Sequence, residues 1–195
     1  MEVEQQMIRQ EKRRKIKKEM LSWGKTLAIV LVIVVFVRAF LFTNYIVYGN
    51  SMMPTIKDRD RVIINKIGYD IGTPQRFDMI VFHATEETDY IKRVIGLPGD
   101  QITYSNDLLY INGEAVEEVY LNGVKEKYKS DSYTEDFKLE EITDVMYVPE
   151  NHIFVLGDNR RNSMDSRHIG FVSFEEIVGK ADITYWPLTH FRKLK

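Results

Sequence analysis

One stretch constrains this chain more than any other. From Thr26 to Phe42 it reads TLAIVLVIVVFVRAFLF, with Arg38 as its single charge. As a helix, seventeen residues rise about 26 Å, and a neighbour such as Trp23 extends that toward a bilayer core of roughly 30 Å. A helix buried in a soluble core keeps a polar face, and Leu27–Val37 has none. A cleavable export signal ends in a small-x-small site, whereas this run continues AFLFTNYIVYG. The reading adopted is a retained single-pass anchor, with Arg38 snorkelling from its C-terminal end. The cluster KRRKIKK (Lys12–Lys18) flanks the other end, and residues 1–25 hold eight Lys/Arg against four Asp/Glu. By the positive-inside rule, residues 1–25 are cytoplasmic, 26–43 form the span, and 44–195 lie outside.

The remainder suits one domain of ordinary size. The net charge of -2 gives no ground for nucleic-acid binding. With no cysteine, the chain has no disulfide, thiolate metal site or thiol nucleophile. Runs rich in Val, Ile, Tyr and Phe predict strands at Tyr45–Tyr48, Arg61–Asn65, Met79–Phe82, Tyr90–Ile95, Leu108–Ile111, Ala115–Val119, His152–Leu156 and Ile177–Trp186. Asn112-Gly113 reads as a tight hairpin turn. A short helix is expected over Phe174–Val178, capped by Ser173 with Glu176 at the capping-box position. Residues 121–144 are polar and read as a surface excursion. The fold class is therefore mainly β, preceded by one N-terminal transmembrane helix.

Three polar blocks carry possible chemistry. Ser51 sits between Gly49 and Pro54 in GNSMMPT, a turn able to hold a hydroxyl in place, or an ordinary loop serine. A serine nucleophile needs a base. His83, His152, His168 and His190 are the histidines, and a triad assembled from distant residues stays open. Lys92 is the other choice: it lies in the apolar strand YIKRVI, sharing a face with Tyr90 and Val94. Such a lysine either snorkels from a sheet edge or loses its proton readily and serves as a base. The run GDNRRNSMDSR (Gly157–Arg167) is a solvated loop, or a loop whose Ser163 and Asp165 orient the lysine, with Asp165 pairing Arg93 or Arg167. It lacks the ligand spacing of a calcium loop, and no metal or cofactor is expected.

Together the anchor, GNSMMPT, RFDMIVF (Arg76–Phe82), YIKRVIGLPGD (Tyr90–Asp100) and GDNRRNSMDSR resemble the type I signal peptidases, the bacterial leader peptidases. The resemblance implies a mainly β fold bearing a serine–lysine dyad that cuts signal peptides from exported preproteins at the outer face of the plasma membrane. It implies that Ser51 is the nucleophile, Lys92 the general base and Ser163 the hydroxyl that hydrogen-bonds the lysine. Asp165 and Arg167 would hold the site together, with Arg93 as an ionic partner. The Ser51 backbone N–H would be one oxyanion donor. Some members carry a Ser or Thr as second donor two residues before the nucleophile; here that position is Gly49. The short segment 101–147 and the single span are similar to the compact Gram-positive form. The implied partners are signal peptides, the lipid bilayer and a nearby secretion translocon. Two other classes fit the residues: a membrane-tethered Ser–Lys autoprotease of the repressor-cleaving type, and a non-catalytic β-rich binding module.

Overall fold

The computed structural model describes residues 2–36, 42–66, 72–128 and 132–194, and divides into two units, 1–41 and 42–195. The first holds one helix, α1 (Glu2–Phe36), which takes in the apolar run up to Phe36; residues 37–41, including Arg38, lie outside the described residues. No helix among the described residues is long and apolar enough to cross a membrane.

The second unit is mainly β. Its strands are β1 (Phe42–Ile46), β2 (Arg61–Asn65), β3 (Met79–His83), β4 (Asp89–Gly96), β5 (Ile102–Ser105), β6 (Leu108–Ile111), β7 (Glu114–Val116), β8 (Phe137–Lys138), β9 (His152–Leu156), β10 (Val172–Ser173), β11 (Ile177–Trp186) and β12 (Arg192–Lys193). Among the described residues they form two antiparallel sheets. The larger runs β1-β2-β11-β3-β4-β9-β10, with β12 on β11; the smaller runs β7-β6-β5-β8. β1 takes in Phe42 and Thr43, which the apolar run alone assigns to the span.

Alternation explains the layering. In β3, Met79 and Val81 join Val62, Ile64 and Ala181 on one face, while Ile80 and Phe82 join Val94 and Val155 on the other. A third cluster centred on Ile95, Tyr104, Leu109 and Phe154 packs the small sheet against the large one. Asn112-Gly113 is the two-residue loop between β6 and β7, whose register pairs Ile111 with Glu114.

Three expectations change. The helix at Phe174–Val178 is a single 3₁₀ turn, Phe174–Glu176. Its predicted cap is present, Ser173 Oγ accepting from the Glu175 N–H and Glu176 from the Ser173 N–H, but Ile177 already belongs to β11. The stretch 121–144 is not all surface, for Leu121, Tyr133, Phe137 and Leu139 are buried. Those four apolar residues follow neither helical nor strand spacing, so composition conceals them. The strand placed at Ala115–Val119 ends at Val116, and Val119 opens a 3₁₀ turn.

Candidate active site

Ser51 lies on the connection between β1 and β2. Met52 and Ile56, both buried, root this turn in the core. The chain then closes on itself, the Val47 N–H donating to the Asp60 carbonyl (2.9 Å) and the Arg59 N–H to the Val47 carbonyl (2.7 Å). Gly49 adopts φ +92°, which glycine accepts without strain. Its N–H donates to Asp58 Oδ1 (2.8 Å), so neither side chain nor N–H is free there for an oxyanion. The Ser51 N–H has no protein acceptor among the described residues.

β4 brings Lys92 to this turn. Its ammonium donates to Ser51 Oγ at 2.8 Å, across 41 residues of sequence. The lysine is 3 % exposed, and Nζ sits 4.9 Å from the Tyr90 ring centroid, as strand alternation requires. Burial lowers its pKa from 10.5 to about 8, against the opposing pull of Asp165 and Asp158. None of the four histidines hydrogen-bonds Ser51 among the described residues; His83 faces Asp89, His152 the Glu150 carbonyl and His190 Asp60.

The loop after β9 clamps the Ser51 turn. The Asn159 N–H donates to the Ser51 carbonyl (2.9 Å), and Asn159 Nδ2 to the Asn50 carbonyl (3.1 Å). Asp165 accepts from the Gly157 N–H (3.0 Å) and from Arg167 Nε (2.9 Å) and Nη2 (3.0 Å). Burial would raise the Asp165 carboxyl, but the Arg167 guanidinium outweighs it and holds the pKa below the usual range. Of the two expected partners, Asp165 therefore takes Arg167. Arg93 instead forms a fully buried bidentate pair with Asp158 (2.8 and 2.7 Å), which the sequence reading missed. The physical reason is alternation: Arg93 points to the opposite face from Lys92, where Phe77 accepts a further bond and Tyr120 covers the guanidinium at 3.9 Å.

Ser163 stands beside the dyad without joining it by a hydrogen bond. Its Oγ is buried and has no hydrogen-bond partner among the described residues, so the bond to Lys92 implied by the resemblance is not made. It lies close enough to Asp165 to favour the carboxylate slightly, but makes no hydrogen bond to it. Gly157 explains how close the strands come: a Cβ there would lie 2.2 Å from Ser163 Oγ and 2.5 Å from the Ser51 carbonyl. Neither Gly157 nor Asn159 was singled out from sequence, though both stand in the same polar run. Behind the loop, Arg160 is buried against Glu118, Tyr104 and Thr134.

A cavity of about 480 Å³ opens on Ser51 and Lys92. Tyr45 and Val47 wall one side and Tyr90 and Ile91 the other. β1 pairs only with β2, and β9 covers β4 only from Arg93 onward, so both walls leave strand edges unpaired among the described residues.

The profile of the family described as "Signal peptidase, peptidase S26" matches residues 20–186. A "Signal peptidase I" of Bacillus caldolyticus is 55% identical over 159 residues, 82% of this chain and 87% of that one. A "Signal peptidase IB" of Staphylococcus aureus (strain Mu50 / ATCC 700699) is 40% identical over 181 residues, 91% of this chain and 95% of that one. The crystal structure of a signal peptidase I from Enterococcus faecalis V583 superposes with a TM-score of 0.53 at 46% identity, covering 56% of this chain and 97% of its own. On the sequence matches and the shared β fold, the chain belongs to the signal peptidase family, peptidase S26, as a serine protease of the type I, Gram-positive kind.

Proposed function

We propose that this chain is a membrane-anchored endopeptidase that removes N-terminal signal peptides from exported preproteins, with Ser51 as nucleophile and Lys92 as general base. The observation that carries the reading is the 2.8 Å approach of Lys92 Nζ to Ser51 Oγ at a lysine whose pKa burial lowers to about 8. Neutral Lys92 takes the Ser51 proton as Oγ attacks the scissile carbonyl. The Ser51 N–H, without a protein acceptor, is left to donate to the oxyanion. Protonated Lys92 then gives its proton to the departing amine, leaving the signal peptide as an ester on Ser51. A water, deprotonated by Lys92, attacks that ester, and Oγ leaves with the lysine's proton.

The substrate lies extended between the unpaired edges of β1 and β4, its backbone completing one or both. Small side chains at the first and third positions before the cut suit such a slot. The anchor is the apolar run read at 26–43, shortened by Phe42 and Thr43, which belong to β1, with residues 1–25 cytoplasmic and the catalytic domain outside. In its support, Leu27 and Ile29 to Val35 are exposed and the helix offers no buried face there. An anchor holds the enzyme in the plane where signal peptides emerge, near the translocon, and raises their local concentration. Asp165, Arg167, Arg93 and Ser163 support the dyad, Ser163 by placing a buried hydroxyl beside the Ser51 turn.

Incubation of the purified protein with a separate preprotein, followed by N-terminal sequencing of the product, tests the reading. Release of the mature chain supports it, while cutting of this chain alone points to an autoprotease. The rate is expected to rise with pH through a midpoint near 8 as Lys92 loses its proton. A plateau extending into acid pH would assign the base elsewhere. Gly157→Ala is expected to lower kcat by about 100-fold with the fold retained, because the added methyl displaces either Ser163 or the Ser51 carbonyl. Steady-state kinetics beside a melting curve check this.

A further inference from the structure

The sequence gives His190 no chemistry beyond a place among four histidines, yet it touches the turn that carries Ser51. That turn is closed by Asp60, whose carboxylate is 1 % exposed. One oxygen, Oδ2, accepts from the Lys57 N–H (2.9 Å); the other, Oδ1, is 2.7 Å from His190 Nδ1. In the neutral ring with its proton on Nδ1 directed at the carboxylate, Nε2 is an acceptor, and Lys57 Nζ reaches it at 3.4 Å. One imidazole thus joins both ends of the Lys57–Asp60 turn.

The segment around it is attached to the same turn twice more. Arg192 Nη2 donates to the Pro54 carbonyl (3.3 Å), and buried Leu194 shares a cluster with Met52 and Ile56. The segment itself is fixed to the sheet by the β11–β12 pairing and by the Leu194 N–H donating to the Asp182 carbonyl (2.8 Å). A buried carboxylate with half its lone pairs unmet is costly, so the turn depends on this partner. None of these contacts reaches Lys92 or the 157–167 loop. We propose that His190 is a positioning residue: the C-terminal segment sets the place of the nucleophile turn through the His190–Asp60 bond, and so the reach of Ser51 Oγ to the lysine. The inference rests on the reading of Ser51 as nucleophile.

The test uses the full chain in detergent with a preprotein substrate. His190→Asn places an amide nitrogen where Nδ1 lies, whereas His190→Gln places one nearer Nε2; His190→Ala removes both. Displacement of a nucleophile by a fraction of an ångström is expected to lower kcat by about tenfold in the Ala and Gln variants, with KM within about twofold of wild type. The Asn variant is expected to stay within about twofold in both constants. If the Ala variant shows no cooperative melt, the Asn–Gln contrast decides alone. Equal kcat in the Asn and Gln variants, or a folded Ala variant as fast as wild type, overturns the brace and leaves the peptidase reading standing. Failure of the wild type to cut the preprotein overturns both.

Discussion

Lys92→Ala is expected to abolish preprotein cleavage, with kcat lowered by roughly 10⁴-fold or more while the domain stays folded. The lysine is the base nearest Ser51 Oγ, at 2.8 Å, and no histidine among the described residues bonds that oxygen. Ser51→Ala is expected to match it, and the double variant to be no worse than either, because the two act as a unit. Full activity in folded Lys92→Ala would eliminate the dyad. The same residue has a thermodynamic signature. Its pKa is about 8 in the folded chain against an ordinary 10.5, so at neutral pH its burial costs about 3 kcal/mol. Between those two values the unfolded chain binds more protons than the folded one. Stability therefore rises with pH from about 8 to 10.5. Lys92→Met, close in volume and without charge, is expected to be inactive yet more stable at neutral pH by up to about 3 kcal/mol, and to lose that slope. Denaturant unfolding at several pH values measures both.

Asp158→Ala is expected to destabilise the domain by about 3–5 kcal/mol, far more than loss of a surface pair. Arg93 and Asp158 are both 0 % exposed and meet through two hydrogen bonds. Removing the carboxylate strands a guanidinium that neither water nor deprotonation can relieve. Arg93→Ala leaves the mirror defect and belongs in the same range. Arg167→Ala is milder, since Arg167 is 13 % exposed and Asp165 keeps the Gly157 N–H. Urea unfolding of the three variants orders them; equal, small losses would show that the buried pair contributes no more than a surface one.

The parts of this molecule legible in its residues are those where one residue decides locally. Arg61–Asn65 and His152–Leu156 are strands with the predicted bounds, because β-branched and aromatic residues dominate short runs there. Ser51 and Lys92 read singly favour bland explanations, and only the three polar blocks in one order made them a pair. What sequence concealed is partnership. Asp165 and Asp158 stand in the same polar run, and which one takes Arg93 depends on which face of β4 each side of the loop meets. Glu118 belongs to a segment read as strand, and a glutamate is ordinarily exposed. Its burial follows from Arg160, which reaches Glu118, Tyr120 and Thr134 together, residues in stretches with no periodic signal. Ile102–Ser105 escaped as a strand because four residues between polar neighbours carry too short a pattern.

The clamp of Asn159 on the Ser51 turn has a consequence for biosynthesis. The contacts that assemble the site join residues 41 and 109 positions apart, so Ser51 and Lys92 precede, by a long interval of synthesis, the loop that holds the Ser51 turn. A nascent chain that has passed Lys92 contains the reactive pair but not the part that fixes it. On the proposed roles of Ser51 and Lys92, proteolytic capacity is expected only after residues 157–167 have been made and have closed on the Ser51 turn.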